Sequence, residues 1–136
     1  MVANLQTAVP PQDMLYGVEQ VMVGTVNFDS ASVVNIGGLP AGAIVTGGSV
    51  HTTTAFNAGS TNTMNVGYAD TTATDPDAYA SLVAVGPVGA IAFDELLAST
   101  AAPLSRSTVV TAGFVGTGAA ASAGSAKVVV KFVVPR

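Results

Sequence analysis

The sequence predicts an all-β protein, an antiparallel β-sandwich of about eight strands with a jelly-roll-like winding. Three observations carry the prediction. Several short segments alternate apolar and polar residues with a period of two, as a strand with one buried face requires. These segments are rich in Val and Thr, whose branched β-carbons suit a pleated surface, and Gly, Pro and Asn turns separate them. No stretch shows the longer period of an amphipathic helix. Periodicity alone leaves an immunoglobulin-like sandwich or a closed barrel open. No repeat of fixed period is visible, which argues against a solenoid or propeller.

Residues 1–19 are expected to form an extended arm and residues 20–136 the sandwich. Pro10-Pro11 bars both helix and central strand there, and about eighteen extended residues span on the order of 60 Å at ~3.3 Å each. Met14, Leu15, Tyr16 and Val18 would let the arm dock on a partner.

Val21 to Phe28 reads as the first strand, with Met22, Gly24, Val26 and Phe28 on one face and Asp29-Ser30 turning the chain. Ser32 to Ile36 is a second, short strand ended by Gly37-Gly38. Leu39-Pro40-Ala41-Gly42 carries turn chemistry, Pro40 setting φ at the first corner and Gly42 free to take a positive φ.

From Val50 the residues Val50, Thr52, Thr54 and Phe56 alternate with His51, Thr53 and Ala55. After Asn57-Ala58-Gly59-Ser60, Thr63, Asn65 and Gly67 alternate with Met64, Val66 and Tyr68. The stretch Leu39–Tyr68 therefore reads as a β-hairpin with one apolar and one polar face. Asp70 to Asp77 is a polar loop. Ala78 to Val85 fits either a helical turn or an irregular edge segment. Ala90 to Leu96 reads as a strand, although Asp94 to Leu97 would equally make one helical turn.

Arg106 to Val115 is a strand in which Thr108, Val110, Ala112 and Phe114 oppose Val109, Thr111, Gly113 and Val115. Gly116 to Ser125 is the small, flexible tip of a second hairpin. In the last strand Val128, Val130, Phe132 and Val134 face inward, while Lys127, Val129, Lys131 and Val133 face out. Val129 and Val133 on that wet face call for a neighbour to cover them.

Composition bounds function. Charged residues make up 9% of the chain against a typical ~25%, and residues 30–69 carry no acid, Lys or Arg. A surface so poorly defended by charge favours association with copies of itself or another protein. The formal charge of −4, with four cations in the chain, argues against nucleic-acid binding. Without cysteine there is no disulfide, thiolate metal site or thiol nucleophile. Met1 to Leu5 lacks a basic, apolar leader, so no secretory signal is expected. The least charged window, Ser107–Ala126, is broken by glycines and hydroxyls, which argues against a membrane helix.

Few residues suggest chemistry. His51, the single histidine, would need an acid and an activated nucleophile for catalysis, and the sequence identifies neither. Asp70, Asp75 and Asp77 supply oxygen ligands, but their spacing matches no EF-hand loop. Gly37-Gly38 and Gly47-Gly48 lack the Gly-Lys-Ser/Thr of a phosphate loop and read as turns, or as a bulge at Gly47-Gly48. Neither an enzyme nor a cofactor is expected. A glycan site would want exposed aromatic platforms, and the chain has no Trp.

Taken whole, residues 24–134 resemble the small capsid decoration, or cement, proteins of tailed bacteriophages. The likeness rests on LPAGAIVTGGSVHTTTAFNAGSTNTMNVG, on DAYASL, and on STVVTAGFVGTGAAASAGSAKVVVKFVVP. The resemblance implies a non-enzymatic virion protein on the outer head surface, assembled in the host cytoplasm. Its partners would be the major capsid protein and its own copies in a homotrimer. Candidate contacts are Met14, Leu15, Tyr16, Val18, Thr52, Thr54, Val129 and Val133. The rival expectation is a receptor- or glycan-binding module of a phage tail, fibre or surface layer.

Overall fold

A computed structural model describes residues 17–96 and 102–135, so most of the expected arm, with Met14, Leu15 and Tyr16, lies outside the described residues. Among those described there is no helix. Eight strands form: β1 Glu19–Asn27, β2 Val34–Leu39, β3 Ile44–Thr54, β4 Thr61–Ala69, β5 Thr74–Ala84, β6 Gly89–Ala92, β7 Thr108–Thr117 and β8 Ser125–Val133. They build two four-stranded antiparallel sheets, β1-β8-β3-β6 and β2-β7-β4-β5. The pairing is nested: β1 with β8, β2 with β7, β3 with β6, and β4 with β5. A chain so paired is one long hairpin rolled up on itself, the jelly-roll-like sandwich that the strand pattern predicts.

The two inner faces meet in a single core. Val26, Val45, Val50, Ala126, Val128 and Val130 come from the first sheet, and Met64, Val66, Ala80, Val110 and Ala112 from the second. The strand β8 shows why the alternation is legible: Ala126, Val128, Val130 and Phe132 are buried, while Lys127 and Lys131 between them are exposed. Its register sets Val128 against Gly24 and Val50, and Phe132 against Gln20 and Val45.

The expected Leu39–Tyr68 hairpin does not form. Its two strands, β3 and β4, lie in different sheets and face each other across the core. The same holds for the expected final hairpin of β7 and β8. The physical reason is common to both. A strand with one apolar face looks the same whether its neighbour in sequence pairs beside it or packs opposite it, about 10 Å away. The connections at Ala55–Ser60 and Gly118–Gly124 are arches that step between sheets.

The two arches brace one another. Gly59 N donates to Ala119 O at 2.8 Å and Ser60 N to Thr117 O at 2.8 Å. The Asn57 carboxamide oxygen accepts from Ser122 N and Ala123 N, and its nitrogen donates to Ser122 Oγ. Gly124, at φ +149°, lies so close beneath the Phe56 ring that a Cβ there would collide with it. Phe56 in turn packs on Phe114 at 4.5 Å between ring centroids.

Adjacent pairing within one sheet occurs at the tip of the roll, β4–β5. There the Asp70 carboxylate accepts from Thr72 N at 2.7 Å and Ala73 N at 2.8 Å, an Asx-type turn. Other expectations shift by smaller amounts. Residues 78–84 belong to β5, and the expected strand at Ala90–Leu96 is shortened to Gly89–Ala92, with no helical turn over the described residues beyond it. Gly37-Gly38 lies inside β2 beside a register shift between Asn35 and Gly37, rather than ending the strand. Gly47-Gly48 forms no turn and lies in register inside β3; the register shift falls just before it, between Val45 and Gly47, at Thr46. A turn forms one residue later than expected, with Ala43 N donating to Pro40 O, Ala41 and Gly42 at its corners rather than Pro40 at the first, and Gly42 at the positive φ foreseen for it, +88°.

Candidate interaction surfaces

The outer face of the first sheet is written in rows across its ladders. Val21 stands beside Lys131, Val23 beside Val129 and then Ser49, and Thr25 beside Lys127 and then His51. Lys127 Nζ donates to Thr25 Oγ1 at 2.7 Å, and Thr46 Oγ1 donates to Glu19 Oε2 at 2.9 Å. Ser49 Oγ and His51 Nε2 lie 2.6 Å apart on exposed residues of one strand. The ladder neighbours of His51 are Lys127 and Ala90, which supply no carboxylate to orient the imidazole as a triad requires. Val18, Val21 and Val23 are more than half exposed, a short apolar border along β1.

The second sheet differs in kind. Strands β2, β4 and β7 contain no charged residue, and β5 carries only Asp75 and Asp77, near its start. Its outer side exposes Val109, Val115 and Leu82, with Val33 on the segment leading into β2. The chain partly roofs this face itself: the Ser32 carbonyl lies over Gly113, and the Asp75-Pro76 backbone lies over Gly67. Leu82 takes φ +52°, a left-handed conformation unusual for a branched side chain, and is 57% exposed. Asn65 Oδ1 holds its amide at 2.7 Å.

Of the candidate contacts, Val18 and Thr54 are exposed, and Val129 and Val133 face outward but are half-buried. Thr52 is 4% exposed and is no surface contact. It shares the inward phase of Val50, whereas the register shift between Thr52 and Thr54 turns Thr54 outward. Sequence reasoning missed Val109 and Val115, although their alternation with Val110 and Ala112 carried the signal. It also missed Leu82, which depends on irregular pairing in β5 that no periodicity reports.

The acidic residues do not gather into a metal centre: among the described residues no group of three His, Cys, Asp or Glu side chains is placed to hold an ion. Asp70 is engaged in its turn, whose amides hold its carboxyl below the usual range. Desolvation and the neighbouring Asp77 push the Asp75 carboxyl up. Aromatic platforms for a glycan are also poorly provided, since Tyr79 is fully buried and Tyr68 half-buried.

No family model matches the chain, and no curated protein does. Among solved structures, it is similar in fold to a chain of the cyanophage Pam1 capsid asymmetric unit. The two are 23% identical, with a TM-score of 0.65 over 98% of each chain.

Proposed function

We propose that this protein is a capsid decoration protein of a tailed phage, which binds the outside of an assembled head and stabilises it without catalysis. The observation that carries the reading is the end-to-end likeness in fold to a chain of a phage capsid asymmetric unit, with neither partner leaving a domain unmatched. The distribution of charge supports it. A sandwich in whose second sheet three of the four strands carry no charged residue suits burial against another protein more than permanent hydration.

In this reading the protein is a homotrimer on the outer head surface, and its partner is the major capsid protein. The neutral sheet supplies the contact area, and the N-terminal arm reaches a neighbouring subunit to add avidity. The test is co-sedimentation of the purified protein with heads that lack it, followed by imaging of the particle. Saturable binding on the outer surface and a raised temperature of genome release are expected. Failure to co-sediment, or density confined to the tail, would overturn the reading. Light scattering after size exclusion tests the trimer, and a monomer at high concentration rejects it.

A further inference from the structure

The cavity beside the tip of the roll joins features that neither the fold nor capsid binding calls for. It encloses about 320 Å³, within the range of sites that hold small ligands. Tyr68 and Asp75, which are ladder partners on β4 and β5, line it with Asp70, Tyr79 and the segment Pro103-Leu104-Ser105. That segment is fixed in place, since Leu104 N donates to Ala43 O and Leu104 O accepts from Gly42 N.

Tyr79 is the second, independent feature. Its ring is fully buried between Tyr68, at 6.0 Å, and Phe93, at 6.4 Å. Its hydroxyl has no hydrogen-bond partner, and burial together with Tyr68 and Asp75 pushes its pKa up to about 12. A buried hydroxyl of this kind is a donor and acceptor waiting for a partner.

Every charged side chain lining the cavity is acidic. Arg106 acts on Asp70 from outside the lining and donates to the Thr72 hydroxyl. Two carboxylates and two tyrosine rings select a cation with an organic stem. A metal fits poorly, because Asp70 already spends oxygen on two amides and, among the described residues, no three His, Cys, Asp or Glu side chains are placed to hold an ion.

We infer that this cavity is an anchor pocket for one basic side chain, a Lys or Arg presented by the protein surface on which the sandwich docks. The charged head lies between Asp70 and Asp75, the stem runs along Leu104 and the Tyr68 ring, and the Tyr79 hydroxyl gains its missing partner. Pockets that desolvate a single long side chain are where interfaces concentrate their affinity. The inference takes the source of the side chain from the capsid reading, but the pocket stands or falls without it.

The test is a titration of the full chain with N-acetyl-arginine amide and N-acetyl-lysine amide, read by two-dimensional NMR, against the uncharged N-acetyl-citrulline amide. Saturable shifts at Tyr68, Asp75, Tyr79 and Ser105 are expected for the two cations. Loss of a charge-assisted pairing in citrulline, or in Asp75→Asn, should weaken binding about tenfold or more. Tyr79→Phe removes only the hydroxyl and gives the same readout, with a smaller loss, should Asp75→Asn fail to fold. An equal response to citrulline, or no saturable shift, overturns the pocket. Saturable cation binding by a protein that ignores heads would instead sink the capsid reading and leave the pocket standing.

Discussion

The outer faces of the two sheets differ far more than the inner ones. Inside, both contribute valines and small residues to one shared core. Outside, the first sheet carries Lys131 together with Glu19, Lys127 and His51, each of these three beside a neighbouring hydroxyl, while the second offers Val109, Val115 and Leu82 among mostly uncharged neighbours. The difference teaches that the low charge of this chain is not spread evenly. It is concentrated on one side of the sandwich, where hydration is given up most cheaply.

That contrast can be broken most directly at Val115. Replacing it with Asp would place an unpaired charge in the proposed contact, and head binding should fall on the order of 100-fold or more, by co-sedimentation, with the melting temperature nearly unchanged. Undiminished binding would move the contact elsewhere. The symmetry of the interior is tested by Val66→Ala in the second sheet and Val128→Ala in the first. Both residues are fully buried, so each should cost about 2 kcal/mol in urea unfolding, from lost transfer energy plus a small cavity. A large inequality would mean that the two sheets do not share the core equally.

A weaker effect is expected from Lys127→Glu with Lys131→Glu. Both lysines are exposed on the hydrated face, and head binding should stay within about threefold, as exposed charges contribute little. The smallest effects concern pH and have opposite signs at the tip of the roll. The Asp70 carboxyl is held low in the folded state, so it contributes stability above its unfolded pKa and loses it as pH falls through the folded value. Asp70→Ala should therefore lower the melting temperature at pH 7 and make no difference in strong acid. The Asp75 carboxyl is pushed up, so its contribution is present in acid and lost as pH rises through the folded value. Asp75→Asn should raise the melting temperature at pH 7, and melting curves between pH 2 and 7 would expose either sign as wrong.

The strands were legible in the sequence because burial on one face imposes period two, and β8, β3 and β4 display it plainly. Their partners were not. Val50 and Met64 both announce an inward face, but that pattern is identical for strands side by side and strands across a core, so a pair of arches reads as hairpins. The surface was legible to the same degree. Lys127 and Lys131 marked the exposed face correctly, whereas Thr54, in phase with Val50 and Phe56 by alternation, is exposed because of the register shift before it. Thr52 shows the limit, since a threonine hydroxyl is small enough to lie inside without disturbing the alternation. The cavity at Tyr79 was out of reach, because residues 68, 75, 79 and 103–105 meet only through the winding of the chain.

The nested pairing carries a consequence for the order of events during synthesis. Glu19 is paired in register with Val133, so β1 waits for β8 before the first sheet can close. The tip at Asp70 is the shortest loop to close and the natural place to begin, with pairs added outward from it. The β1–β8 ladder then seals last, once β8 has been synthesised. Synthesis of β8 thereby gates closure of the first sheet: β1 stands at the edge with β8 as its neighbour, and until that strand emerges its ladder has nothing to pair with.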